Sequence, residues 1–133
     1  MMLYMLDTNV VSAIMHDPYG PAATRLQQTS LDERAMSIIV AAELRFGIAK
    51  RSSKVLAGRL EALIAEIPIV PFRAPADEIY AELRARLEKQ GTPAGANDML
   101  IAAHALALGA TLVTDNEREF ARIKSLKVEN WLR

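Results

Sequence analysis

Four acids in this chain stand where side chains could do chemistry. Asp7 closes a short apolar run, Leu3 to Leu6, and Asp115 closes another, Thr111 to Thr114. Glu43 follows a third such run, Ala35 to Ile39, early in a helix-forming stretch. Asp98 opens an apolar stretch that continues to Leu108. Each has an ordinary explanation, because an acid at a strand–helix junction can serve as a cap and a helix dipole favours acids in the first turn. Asp98 resists that explanation. Met99 to Ala103 behind it are apolar and would bury it, and a buried carboxylate needs a partner or a cation. Several acids converging on one crevice would repel one another unless a metal ion neutralised them. Magnesium prefers octahedral oxygen coordination and keeps several waters, taking one or two carboxylates directly. A bound ion acidifies water and stabilises phosphoryl charge, and two ions about 4 Å apart can hold both attacking and leaving oxygens. A phosphodiester suits that chemistry.

Composition narrows the metal. The chain has no cysteine and only two histidines, His16 and His104, so neither thiolate zinc nor a histidine cage can be built. Oxygen ligands point to magnesium or manganese. Sixteen basic and sixteen acidic residues cancel, which counts mildly against a nucleic-acid partner. Cations are locally crowded, however, at Arg45, Lys50, Arg51, Lys54 and Arg59, and again at Arg118, Arg122, Lys124 and Lys127. The 133 residues read as a single domain, 1–133. No signal peptide or membrane-spanning run is apparent, so a cytoplasmic protein is expected.

The elements that must position these acids alternate. Leu3–Leu6 reads as a buried strand, with a brief helix over Asn9–Met15 and a second over Ala22–Gln28 after the turn at Asp17-Pro18-Tyr19-Gly20-Pro21. Ala35–Ile39 is a second strand, followed by a helix over Ala41–Arg51. Leu56, Leu60, Leu63, Ile64 and Ile67 share a helical face, and Ile67–Val70 is a third strand that Pro68 demotes to an edge. Pro75 opens a helix whose apolar face carries Ile79, Tyr80, Leu83 and Leu87. Asn97 caps a buried helix that ends at Gly109. Thr111–Thr114, a short helix over Glu117–Arg122, and a strand over Lys127–Glu129 complete the pattern. Short apolar strands alternating with helices indicate a parallel sheet covered on both faces. Ligands of such sheets bind beyond the carboxyl ends of the strands, where Asp7 and Asp115 lie.

The order Met5-Leu6-Asp7-Thr8-Asn9, Ser37 before Ala42-Glu43-Leu44, Pro93 to Ala105 with Asn97-Asp98 at its centre, Leu112 to Phe120, and Val128-Glu129-Asn130-Trp131 resembles the PIN-domain ribonucleases, most closely the VapC toxins of toxin–antitoxin pairs. The Pro93–Phe120 block is the specific part. The resemblance implies a PIN-like three-layer α/β/α sandwich with a five-stranded parallel sheet of order 3-2-1-4-5. It also implies a magnesium-dependent endoribonuclease, with manganese as a substitute, and a cognate VapB-type antitoxin whose tail enters the active-site groove. Homodimers, larger complexes with the antitoxin, and operator DNA bound through the antitoxin are implied as well. Asp7, Glu43 and Asp98 match the family's acidic core, and Thr114 its strand-end hydroxyl. Where the family often has a fourth acid this chain has Asn116, so Asp115 or Glu119 would have to compensate. The Val113–Asn116 and Glu119-Phe120 pattern is similar to members that cut transfer RNA in the anticodon loop, initiator tRNA included.

On this reading Asp7 and Asp98 bind the principal ion, and Glu43 orients or deprotonates the attacking water or helps hold a second ion. Thr8, Asn9, Thr114 and Asn116 position these groups, and Arg45 could meet the phosphate backbone. His104 reads as a satisfied core histidine, and Phe120 and Trp131 as core. Met15, Tyr19, Leu26 and the helix from Leu56 to Ile67 could form a dimer or antitoxin surface. An aspartyl phosphotransferase is the rival enzyme, but Asp7-Thr8-Asn9 lacks the second aspartate such enzymes use. A non-catalytic PIN-like module that only binds RNA or protein is the rival from another class, and clustered acids facing an anionic ligand argue against it.

Overall fold

A computed structural model describes residues 2–133. The chain runs β1 (Tyr4–Leu6), α1 (Thr8–His16), α2 (Pro21–Gln27), β2 (Arg34–Ser37), α3 (Ile38–Arg51), α4 (Lys54–Glu66), β3 (Ile69–Val70), α5 (Ala76–Lys89), α6 (Ala96–Leu108), β4 (Thr111–Val113), α7 (Glu117–Phe120) and β5 (Val128–Glu129), with a 3-10 turn at Leu31–Glu33. The strands form one sheet in the order β3-β2-β1-β4-β5, and every pairing is parallel. Successive strand residues face opposite sides. Met5 and Leu6 on β1, and Leu112 and Val113 on β4, are all fully buried, so helices cover both faces and the sandwich has three layers, as expected. Pro68 precedes β3, which lies at the sheet edge.

Strands this short cannot hold the fold by their ladders. Packing does it, since each fully buried leucine, methionine or phenylalanine contributes about 1.5–3 kcal/mol. Phe120 and Trp131 belong to this core. Trp131 is buried against Tyr4, with ring centres 5.3 Å apart, and under the Arg25 guanidinium at 5.4 Å. Helix α6 lies along α5, and α1 touches α2, α3 and α4. Among the described residues no helix is long and apolar enough to cross a membrane.

Most element boundaries differ from the sequence reading by one to three residues, and those nearest the acids have local causes. β2 stops at Ser37 because the Ser37 hydroxyl accepts from the Ile39 amide at 3.1 Å and caps α3. The helix therefore starts at Ile38 rather than Ala41, which puts Glu43 in its second turn, out of the zone where the dipole alone would favour an acid. α1 starts at Thr8 rather than Asn9, because the Asp7 side chain caps it by accepting from the Thr8 amide. Pro75 sits at the cap of α5 rather than inside its first turn. Gly95, not Asn97, precedes α6, which frees the Asn97 side chain for other use. At the far end Gly109 ends α6 in the left-handed conformation, φ 65°, which only glycine adopts without strain.

Candidate active site

Register brings the first pair of residues together. Leu6 of β1 lies opposite Val113 of β4, so the residues just beyond them, Asp7 and Thr114, stand side by side at the carboxyl ends of adjacent strands. The Thr114 hydroxyl donates to Asp7 Oδ2 at 2.7 Å and in turn accepts from the Asn116 amide at 3.0 Å. Asp7 Oδ1 accepts from the Thr8 amide at 2.8 Å. Both Asp7 and Thr114 are buried. Across the crevice, the Thr8 hydroxyl donates to Glu43 Oε1 at 2.6 Å, and the Asn97 side-chain amide donates to Glu43 Oε2 at 3.2 Å. Thus α1 and α6 together fix the glutamate carried by α3. Asp98 follows Asn97 in the first turn of α6.

Electrostatics ties these acids into one field. Burial, and then the charges of Asp7, Glu119 and Glu43, push the Asp98 carboxyl up to about 6. Asp7 is also raised, chiefly by burial with a smaller push from Glu43, against the lowering hydrogen bonds from Thr114 and Thr8. Asp98 gains no comparable donor. Among the described residues no cation is paired with it.

Comparison with known proteins follows the same line. Residues 4–126 match the family model of the PIN domain. The chain is 42% identical to Ribonuclease VapC2 of Rickettsia felis, with 98% of each chain covered. It is 34% identical to the tRNA(fMet)-specific endonuclease VapC of Shigella flexneri, covering 98% of this chain and 99% of that one. Among solved structures, VapBC2 from Rickettsia felis bound to a DNA fragment from its promoter superposes with a TM-score of 0.90 at 39% identity, over 98% of this chain and 99% of that one. The chain belongs to the PIN-domain family.

Within this PIN domain the remaining predicted residues separate. Glu119 lies close enough to act on Asp98, while its own carboxylate is 3.5 Å from Arg122. Asp115 faces elsewhere: its Oδ1 accepts from the Asn130 side chain at 3.1 Å, and Asn130 also reaches Glu117 at 3.2 Å. Of the two acids that could compensate for Asn116, Glu119 is therefore the one in the field of the core. Asn9 accepts from the Asp115 amide at a long 3.4 Å. Asn116 contributes its backbone N–H, and its side chain is exposed. Arg45 points away and pairs with Glu61 at 2.9 Å, both exposed. His104 Nδ1 lies 2.8 Å from the Ser37 hydroxyl, while buried Nε2 has no partner of good hydrogen-bond geometry among the described residues. Burial pushes its pKa down, with the Pro71 carbonyl opposing. The description as a satisfied core histidine thus holds for burial and fails for one nitrogen.

Asn97 and Asn130 have roles at or beside the site that sequence reasoning did not assign. Asn97 was taken for a cap, and its position next to Asp98 was the only available signal. Asn130 lies within the Val128–Trp131 motif, whose match gave no role to its side chain.

The residues fit a hard divalent cation. Every donor at the crevice is oxygen, Asp98 lacks a compensating partner, and Asp7 is held in place by two donors. Among the described residues no three acids or histidines approach closely enough to ligate one ion by themselves. That suits an ion that keeps most of its waters and takes one or two carboxylates directly.

Proposed function

We propose that this PIN domain is the toxin of a toxin–antitoxin pair and acts as a metal-dependent endoribonuclease. The observation that carries this reading is the convergence of Asp7, Glu43 and Asp98 from three separate elements, with Asp98 pushed up to about 6 by burial and then by the charges of Asp7, Glu119 and Glu43. A non-catalytic RNA-binding surface has no use for that repulsion. Asp7 and Asp98 hold magnesium, or manganese in its place, directly or through water. When bound, the ion supplies neutralisation of phosphate charge and a more acidic water. Glu43 takes the proton of the attacking water as its oxygen bonds to phosphorus. The phosphorus–oxygen bond to the leaving ribose breaks, and the leaving oxygen takes a proton from solvent. Thr8 and Asn97 keep Glu43 aimed, and Thr114 does the same for Asp7. Such a positioned base contributes roughly 10²–10⁴-fold to a rate.

Transfer RNA is the substrate class we assign first, supported by the Shigella flexneri relative named as a tRNA(fMet)-specific endonuclease, and we place the cut in the anticodon loop of initiator tRNA. The partner we assign is a small VapB-type antitoxin, supported by the VapBC complexes among the similar structures. Operator DNA would be reached through that antitoxin, as a homodimer within a larger assembly in the cytoplasm. The test is cleavage of purified total tRNA by the wild-type chain, by Asp7→Asn, and by wild type with EDTA. Discrete fragments from the metal-supplied wild type alone support the reading. A folded, magnesium-binding wild type that binds RNA but cuts none would make the chain a binding module.

A further inference from the structure

The cations of one stretch of the sequence, Arg118, Arg122, Lys124 and Lys127, have no part in the acid site. The fold divides them. Arg122 and Lys124, in the segment after α7, meet Arg86 and Gln90 from the end of α5 around one cleft, with Ser125 completing its lining. Three cations and two neutral polar residues line it, and no acid does. Exposed Arg84 and Arg45 are each paired with an acid, Glu88 at 2.8 Å and Glu61 at 2.9 Å, whereas among the described residues only Arg122 of the cleft's three cations has one, Glu119 at 3.5 Å. Here Arg86 and Lys124 come from elements far apart in sequence and are both exposed. Like charges gathered this way repel, which a purely structural surface gains nothing from.

Arg122 connects the cleft to the acids. Its Nη1 donates to the Pro93 carbonyl at 2.9 Å, and its Nη2 lies 3.5 Å from Glu119. Pro93 belongs to the loop leading into α6, which carries Asp98, and Glu119 is one of the charges acting on Asp98. The Arg122–Glu119 pair therefore stands between the basic cleft and the acidic crevice. A polyanion cut at the crevice has phosphates to place on either side of the scissile one. With no net charge on the whole chain, attraction for that polyanion has to be local.

We propose that the cleft formed by Arg86, Gln90, Arg122, Lys124 and Ser125 binds backbone phosphates of the RNA beyond the one being cut. The inference rests on the ribonuclease reading and extends it to a second contact with the same substrate. Guanidinium forks match phosphate oxygens, and the lysine adds a point charge. No aromatic side chain lines the cleft, so it offers bases no stacking surface and grips without reading sequence.

The test pairs Arg86→Gln with Lys124→Gln, both exposed positions outside the acid site, and uses Lys54→Gln as a control. Binding of a labelled, mixed-sequence single-stranded RNA is followed across a KCl titration in the Asp7→Asn background, where cleavage does not intervene. Each lost phosphate contact lowers the log–log salt slope by about 0.7, so the double variant should be shallower by about 1.4. The control should match its parent. In chains retaining Asp7, the double variant should raise KM for long RNA while leaving kcat and the hydrolysis of a dinucleotide unchanged. A slope and KM equal to the control's would overturn the proposal, as would a fall in kcat with the slope unchanged. If the wild type cuts no RNA while the slope still changes, the cleft stands as an RNA contact and the ribonuclease reading falls.

Discussion

Thr114→Val is the sharpest probe of how the site is held. Valine has the shape of threonine, so no cavity opens at this fully buried position. What disappears is the 2.7 Å bond to Asp7 Oδ2 and the acceptor for the Asn116 amide. A hydrogen bond to a charged group contributes about 1.5–3 kcal/mol. The Asn116 segment is exposed and its N–H can turn to water, so that loss is small. The added methyl returns about 0.8 kcal/mol. The net cost should be about 1–2 kcal/mol, seen as a urea midpoint lower by roughly 1 M if m is near 1.5 kcal/mol/M. Made in the Asp7→Asn background, the same change breaks a bond between neutral groups, and its cost should drop by about 1 kcal/mol. Removing the donor should also raise the Asp7 carboxyl further, since that bond is what chiefly opposes the effect of burial. A cost under about 0.5 kcal/mol, or one that Asp7→Asn leaves untouched, would show that Thr114 acts by packing alone.

Four further outcomes follow from the same geometry. Glu43→Gln should lower kcat by roughly 10²–10⁴ with RNA affinity retained; unchanged single-turnover cleavage would remove Glu43 as the base. Asn97→Ala deletes one exposed bond to Glu43 and should cost about 2–10-fold in kcat with magnesium affinity intact, measured by kinetics and calorimetry. Because the Asp98 carboxyl is raised to about 6 from 3.8, its penalty on folding is absent below 3.8, grows as pH rises between those values, and is complete above about 6. Metal-free Asp98→Asn should therefore gain stability over the wild type at pH 7 and lose that advantage at pH 4, while wild-type magnesium affinity should rise through pH 6; a pH-independent difference in urea midpoint would contradict this. Arg45→Ala breaks only an exposed pair with Glu61 and should change stability by less than about 1 kcal/mol and cleavage not at all; a rise in KM would return Arg45 to the substrate contacts.

The alternation of short apolar runs with amphipathic stretches was enough to determine a parallel sheet covered on both faces, because strand and helix periodicities are local properties of the chain. Local punctuation also located Asp7 and Asp115 at strand ends and Asp98 at a helix start. Which acids share a crevice was decided only by tertiary structure, because strand order, register and side-chain direction depend on contacts between distant residues. The β1–β4 register sets Thr114 beside Asp7. Ser37, by capping α3, shifts Glu43 into the second turn and toward Thr8. Asp115 and Glu119, alike to sequence reasoning, part company because Asn130 from beyond β5 holds the first while the charge of the second acts on Asp98. Asn97 shows the same limit: a cap two positions earlier, at Gly95, turns an apparent cap into a donor to Glu43. Residue types and their order therefore determine what chemistry is available, and the long-range pairing of elements selects which of those residues can act together.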